Sequence, residues 1–193
     1  MRCTEFITQD HAVIRRGLDI LDGMVKQMEE GLRIEIADVI AILKLLRLCG
    51  EEHYQAIEES DLLHALMRAA PDDVRLHRMF SEQAEQHTLV AGIENALKAK
   101  QGRDFVQTSR RLSLLFRDHL KEEDSVLCEL AERSLSKQED NAVVAEFKKR
   151  HVHPETKATL SRLERKYTLQ PQTNTLTPGR DGDRAHGAAA SYR

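Results

Sequence analysis

The chain has 193 residues, of which 32% are charged and 4% aromatic, with a net charge of -3 and a pI of about 6.3. This balance, without a basic patch, excludes nucleic acid as a main partner, and no apolar run approaches the roughly 20 residues of a membrane span. The three cysteines are far apart and lack a CxxC spacing, which predicts a cytoplasmic protein without a disulfide framework or a cysteine-rich zinc site.

Apolar residues that recur at intervals of three and four predict four long helices, A to D. They cover residues 8–30, 36–69, 72–100 and 103–135. A fifth helical segment, residues 137–167, is interrupted near His153 and Pro154. The sequence therefore predicts an all-α, up-down-up-down four-helix bundle with an additional C-terminal helical segment over residues 1–167. Residues 168–193 are rich in Gly, Pro, Ser and Thr, which predicts a disordered tail.

Histidines stand on or near the apolar faces of these helices. In helix A, His11 occupies a seam that is otherwise apolar, and in helix D, His119 and Glu123 are four residues apart and share one face. A histidine or carboxylate in a core must be paired, protonated or bound to a metal. Taken singly, each is more often a hydrogen-bonded core residue than a metal ligand.

Helices B and C extend the pattern. Helix B carries His53, Tyr54 and Glu58, and the inward face predicted for helix C includes His87. Four-helix bundles build metal sites from inward His and Glu, and imidazole with carboxylate suits iron, manganese or zinc. Two carboxylates able to bridge favour a dinuclear centre. Residues 54–62 also align with residues 119–127, which indicates two equivalent half-sites on helices B and D.

The ordered set of motifs resembles the haemerythrin-like, or HHE cation-binding, family. Its parts are DHAVIRR from Asp10, EESDLL from Glu58, EQH ending at His87, and the segment from His119 to Leu127. The resemblance implies a four-helix bundle with two non-haem irons joined by an oxo or hydroxo bridge. It assigns His11, His87 and His119 as terminal nitrogen ligands and makes Glu58 and Glu123 bridging carboxylates.

Helix B departs from the family pattern, because Tyr54 stands four residues before Glu58, where the family has histidine. His53 lies five residues before Glu58, so in an α-helix the two point about 140° apart, whereas Tyr54 and Glu58 differ by about 40°. Three alternatives follow: Tyr54 ligates as a phenolate, a local widening such as a π-bulge brings His53 round, or one iron lacks this ligand. On helix C, Gln83 stands four residues before His87, where oxygen carriers have a second histidine.

The function implied by the resemblance is a di-iron protein that binds, senses or reacts with oxygen species, or stores iron. The alternative is a di-iron enzyme that decomposes hydrogen peroxide or handles nitric oxide. In both cases the expected partner is a small molecule such as dioxygen, peroxide or nitric oxide. A third possibility is a metal-free bundle with hydrogen-bonded core histidines. The sequence leaves the oligomeric state open.

Overall fold

The structure, a computed structural model, describes residues 2–59, 62–72, 74–149 and 154–168. For residues 51–59, 63, 69, 75–77, 79–84 and 154 it describes the helical backbone alone. Within these ranges the chain is helical and contains no strand, which confirms the predicted all-α class. The helices are α1 (Cys3–Glu29), α2 (Ile36–Glu59), α3 (Leu62–Ala69), α4 (Val74–Lys98), α5 (Gly102–Glu122), a π-helical segment (Glu123–Leu127), α6 (Cys128–Ser134), α7 (Lys137–Lys149) and α8 (Pro154–Tyr167).

Predicted helix A corresponds to α1, which begins at Cys3 rather than at residue 8. The earlier start has a tertiary cause. A carboxylate oxygen of Asp140, a buried residue of α7, accepts a hydrogen bond of 3.0 Å from the backbone N–H of Cys3. One of the unsatisfied N–H groups of the first helical turn is thereby paired by a residue far away in the sequence.

Predicted helix D is continuous in the structure but is not uniform. It consists of α5, the π-helical segment and α6, which follow one another without an interruption. A π-helix is rare and usually occurs as a single wide turn inside an α-helix. Here the wide turn begins at Glu123, which is one of the residues that the sequence marks as a candidate metal ligand.

Most of the described helices pack against α1. This helix contacts α2, α5, α6, α7 and α8, and α4 packs extensively against α5. Ion pairs join Arg78 to Glu122 and Glu85 to Arg111, so α4 and α5 run antiparallel. The up-down-up-down order of a complete bundle stays a prediction, as does the domain boundary at residue 167. Residues 150–153 and the predicted tail beyond Thr168 lie outside the described residues.

The buried apolar side chains form two clusters, and the polar candidates lie between them. On α1, Ile7 belongs to one cluster and Ile14 to the other, with His11 between them. Along predicted helix D, Leu120 and Val126 are divided in the same way by Glu123. The side chains of His11 and Glu123 therefore separate the two apolar clusters. Burial of such polar groups costs free energy unless they are paired, so apolar packing alone does not explain their position.

The last described helix, α8, is fastened to the start of α2 by a buried carboxylate. Asp38 accepts hydrogen bonds from Arg162 at 2.8 Å, Lys166 at 2.6 Å and the hydroxyl of Tyr167 at 2.9 Å. Burial by itself raises the pKa of Asp38, but these three hydrogen bonds together lower it below its ordinary value. The fifth helical segment is thus an integral part of the packed structure. None of the described helices has an apolar stretch long enough to cross a bilayer.

Replacement of Asp38 by Asn is expected to reduce the free energy of unfolding at neutral pH by about 1 to 3 kcal/mol, because a charged acceptor of hydrogen bonds is lost. Since the folded pKa is lowered, this contribution is present above the ordinary pKa of about 4 and is lost as the pH falls through the folded value. Urea unfolding of both proteins across this range measures it. Glu155→Gln, at an exposed position of α8, is the control. A difference that does not change with pH would contradict the assignment.

Candidate metal centre

Two imidazoles and one carboxylate meet inside the protein. The side chains of His11, His119 and Glu123 are each no more than 1% exposed. Nε2 of His11 lies 2.9 Å from Oε2 of Glu123, and Nε2 of His119 lies 3.4 Å from Oε1 of the same carboxylate. The structure thus brings together three of the residues that the sequence predicts as ligands, and Glu123 presents one oxygen to each histidine.

The other edge of the His11 ring is also fixed. Nδ1 of His11 lies 2.7 Å from Oδ1 of Asp124, and the second oxygen of Asp124 forms an ion pair with Arg15. A carboxylate can only accept, so Nδ1 must carry a proton in this contact. Burial alone raises the pKa of Asp124, but the hydrogen bonds from His11 and Arg15 lower it below its ordinary value, and Asp124 is ionised at neutral pH.

This arrangement determines what can lie between His11 and Glu123. With a proton on Nδ1, a neutral imidazole has its lone pair on Nε2, which faces an oxygen of Glu123 at 2.9 Å. Two electron-rich atoms at this distance repel unless a proton or a metal cation neutralises the contact. The donor set and its charge therefore fit a cation at this position, in accordance with the ligand chemistry of imidazole and carboxylate.

The π-helical segment explains how two consecutive residues contact the same ring. Glu123 and Asp124 stand at its start and reach opposite edges of the His11 imidazole. In a regular α-helix, consecutive side chains diverge by about 100°. The wider turn alters the direction of the residues that follow His119 and places both carboxylates toward α1. A widening of this kind is one of the alternatives predicted for helix B, whereas the structure has it on helix D.

The α2 candidates are described only in their backbone. Positions 53, 54 and 58 belong to α2, which is α-helical through Glu59, and the side chains of His53, Tyr54 and Glu58 lie outside the description. The regular backbone contains no π-turn at these positions. The helical spacing therefore keeps position 54, and not position 53, on the same face as Glu58.

The prediction that His87 faces inward is wrong. In α4 the His87 side chain is exposed, and its neighbour Gln86 is buried at 2% exposure. The apolar pattern of helix C is weak, so its periodicity does not determine which face turns inward. The histidine chosen from the sequence is therefore one residue away from the buried position.

The backbone of α4 carries a second histidine, at position 77, which is not among the candidates predicted from the sequence. Arg78 pairs with Glu122, so this level of α4 lies beside the junction at which Glu123 begins the π-helical segment. Position 77 directly precedes Arg78 and is also a histidine. Residue 87 is ten positions further along the helix, which corresponds to about 15 Å. The spacing of residues within helix C cannot indicate which of the two histidines lies at the level of Glu123, because that level depends on how α4 pairs with α5.

The thiol of Cys128, which lies close to this site, is not ionised at neutral pH when no metal is bound. Cys128 follows the π-helical segment, and burial, followed by the charges of Asp124 and Glu123, raises the pKa of its thiol to about 12. A thiol with such a pKa is protonated at neutral pH and reacts poorly as a nucleophile. Among the side chains that the structure describes, no group of three or more His, Cys, Asp or Glu residues is arranged so that it could hold a metal ion, so His11, His119 and Glu123 do not form a metal site by themselves.

Comparison with known protein families gives a match that covers most of the helical region. The Hemerythrin HHE cation binding domain matches residues 3–131, which is more than half of the chain. The matched range begins at the first residue of α1 and ends within α6, so it includes His11, Glu123 and Asp124. No match was found among the curated proteins or among the solved structures.

Replacing each of the two histidines of α4 by alanine, one at a time, tests which level of this helix lies beside the candidate metal centre. If His77 supplies a ligand to a bound cation, His77→Ala should weaken binding of ferrous iron by about tenfold or more, because loss of a ligand should cost at least as much as loss of a ligand's hydrogen-bond partner. His87→Ala, with the same change in composition at an exposed position, should bind iron like the unmodified protein. Competition with a coloured iron chelator measures both. The opposite order of effects would show that the level of His87, and not that of His77, lies beside the centre.

Proposed function

The chain belongs to the haemerythrin HHE cation-binding domain family, and on that premise we propose that it holds a non-haem di-iron centre that binds a small oxygen species. The family establishes cation binding as the general function. The number of metal ions, their identity and the ligand are the parts that we propose. They are supported by the chemistry of the buried residues and by their arrangement around Glu123.

The observation that carries the proposal is the position of the Glu123 carboxylate. Its two oxygens face two different imidazoles, at 2.9 Å and 3.4 Å, with all three side chains buried. A carboxylate in this position can contribute one oxygen to each of two cations that are held by His11 and His119. A mononuclear site would not require a separate oxygen for each histidine.

The remaining ligands would come from α2 and α4. We propose Glu58 as the second bridging carboxylate and Tyr54 as its neighbour on the same helical face, in preference to His53. On α4, the register favours His77 over the exposed His87. With His11, His119 and Glu123, this set supplies imidazole, carboxylate and phenolate groups, which suit ferric and ferrous iron.

When bound, the iron would supply redox and Lewis-acid chemistry toward a small ligand. The protein's own residues would hold the centre and limit access to it. His11, His119 and Glu123 lie on three rigid helical segments and are shielded from bulk water. A site buried among packed helices admits dioxygen, peroxide or nitric oxide more readily than a larger substrate. The fixed proton on Nδ1 of His11 keeps the ring oriented toward the centre.

Protein purified from iron-supplemented cells is expected to contain about two irons per chain and to show ligand-to-metal charge-transfer absorption. Glu123→Gln should lose most of the iron and this absorption, because a neutral amide is a poor bridging ligand. Circular dichroism shows whether the variant remains folded, and Ser125→Ala, at an exposed position in the same π-helical segment, is the control. Wild-type protein that stays iron-free in folded form after anaerobic reconstitution would refute the proposal.

Tyr54→Phe and His53→Ala distinguish the two candidates on α2. A phenolate ligand would give an additional visible absorption band, which Tyr54→Phe should abolish while His53→Ala retains it. The physical reason is that only Tyr54 shares the helical face of Glu58 when α2 remains α-helical. Absorption and resonance Raman spectra of the iron-loaded variants measure the difference. Retention of the band in Tyr54→Phe would remove tyrosine from the ligand set.

A further inference from the structure

Asp124 contacts the metal-centre residues without facing the centre itself. Its Oδ1 lies 2.7 Å from Nδ1 of His11, on the edge of the ring opposite to Nε2 and Glu123. Its Oδ2 forms an ion pair with Arg15. Both oxygens are therefore engaged away from the position between His11 and Glu123, in contrast to the adjacent carboxylate of Glu123.

Arg15 is placed to hold Asp124. It stands four residues after His11 on α1, so both side chains lie on the same face of the helix. Arginine stays charged at all ordinary pH values, and its guanidinium can direct a carboxylate through strong, charge-assisted hydrogen bonds. Asp124 and Arg15 are about one third exposed, whereas His11 is completely buried. Asp124, which is paired with Arg15, thus contacts the edge of the His11 ring that lies nearer to solvent.

We propose that Asp124 is a positioning residue of the centre, which holds the His11 ring with Nδ1 protonated and leaves Nε2 as the metal-binding nitrogen, with Arg15 as its anchor. This inference rests on the proposed function. It assigns different roles to two consecutive carboxylates: Glu123 binds the cations, and Asp124 orients one of their ligands. A hydrogen-bond partner of this kind fixes both the tautomer and the direction of a ligating imidazole.

Iron retention tests the proposal. In competition with a chelator, Asp124→Ala should bind ferrous iron about 10- to 100-fold more weakly than the wild type does. A loss of this size is expected when a metal ligand loses its hydrogen-bond partner. Asp124→Asn should be intermediate, because the amide can accept from Nδ1–H or donate to Nδ1 and so does not fix one tautomer. Glu129→Gln, an exposed position on α6 with the same loss of charge as Asp124→Asn, should bind iron like the wild type.

A second measurement distinguishes positioning from a general loss of stability. Zinc binds the same types of donor and permits NMR of the histidine rings. In the zinc-loaded wild type, His11 should show a protonated Nδ1 and a metal-bound Nε2. Asp124→Asn should show a second ring state or loss of the Nδ1–H signal. An unchanged His11 spectrum in a variant that is merely less stable toward heat would overturn the proposal.

The outcomes separate this inference from the proposed function. If the wild type binds neither iron nor zinc, the di-iron proposal fails and this inference fails with it. If the wild type binds iron and both Asp124 variants retain it as firmly as Glu129→Gln, the proposed function stands and the positioning role is wrong. Arg15→Ala should weaken iron retention less than Asp124→Ala, since the carboxylate remains. A larger effect of Arg15→Ala would show that Asp124 is not the direct partner.

Discussion

The structure depends on one buried contact, the carboxylate of Glu123 between the imidazoles of His11 and His119. Its burial would be costly without compensation, because an ionised carboxylate loses its hydration when it enters an apolar interior. The imidazoles face its two oxygens, and the protonated Nδ1 of His11 leaves the nearer contact in need of a positive charge. A proton or a metal cation can provide that charge, and the family to which the chain belongs binds cations.

Several other features of the fold follow from this constraint. The apolar core is divided into two clusters at the level of His11 and Glu123, so apolar side chains surround the polar group above and below. The wide π-turn at Glu123–Leu127 allows consecutive carboxylates to contact the two edges of one imidazole. Rigid helices carry all of these groups, which keeps their spacing fixed in the way that a metal site requires. At the other end, Asp38 fastens α8 to α2 and completes the packing around α1.

The same geometry limits the chemistry that the site can perform. The side chains of His11, His119 and Glu123 are buried, and a site enclosed in this way suits a small ligand better than an extended one. The adjacent carboxylates differ in environment: Glu123 is enclosed, whereas Asp124 is partly exposed and paired with Arg15. This difference in burial and charge supports a ligand role for the first and an orienting role for the second. Residue type alone could not make that distinction.

The sequence by itself determined the helical class and the candidates His11, His119 and Glu123, because the apolar period and the spacing of four are local properties of a helix. It did not determine which face of α4 turns inward, and His87 proved to be exposed. That face depends on how α4 packs against its neighbours, and the pairing of Arg78 with Glu122 belongs to this packing. The contacts of Asp124 with His11 and Arg15 and the attachment of α8 through Asp38 are likewise tertiary. Each of these contacts joins residues distant in the chain, so no local pattern could predict them.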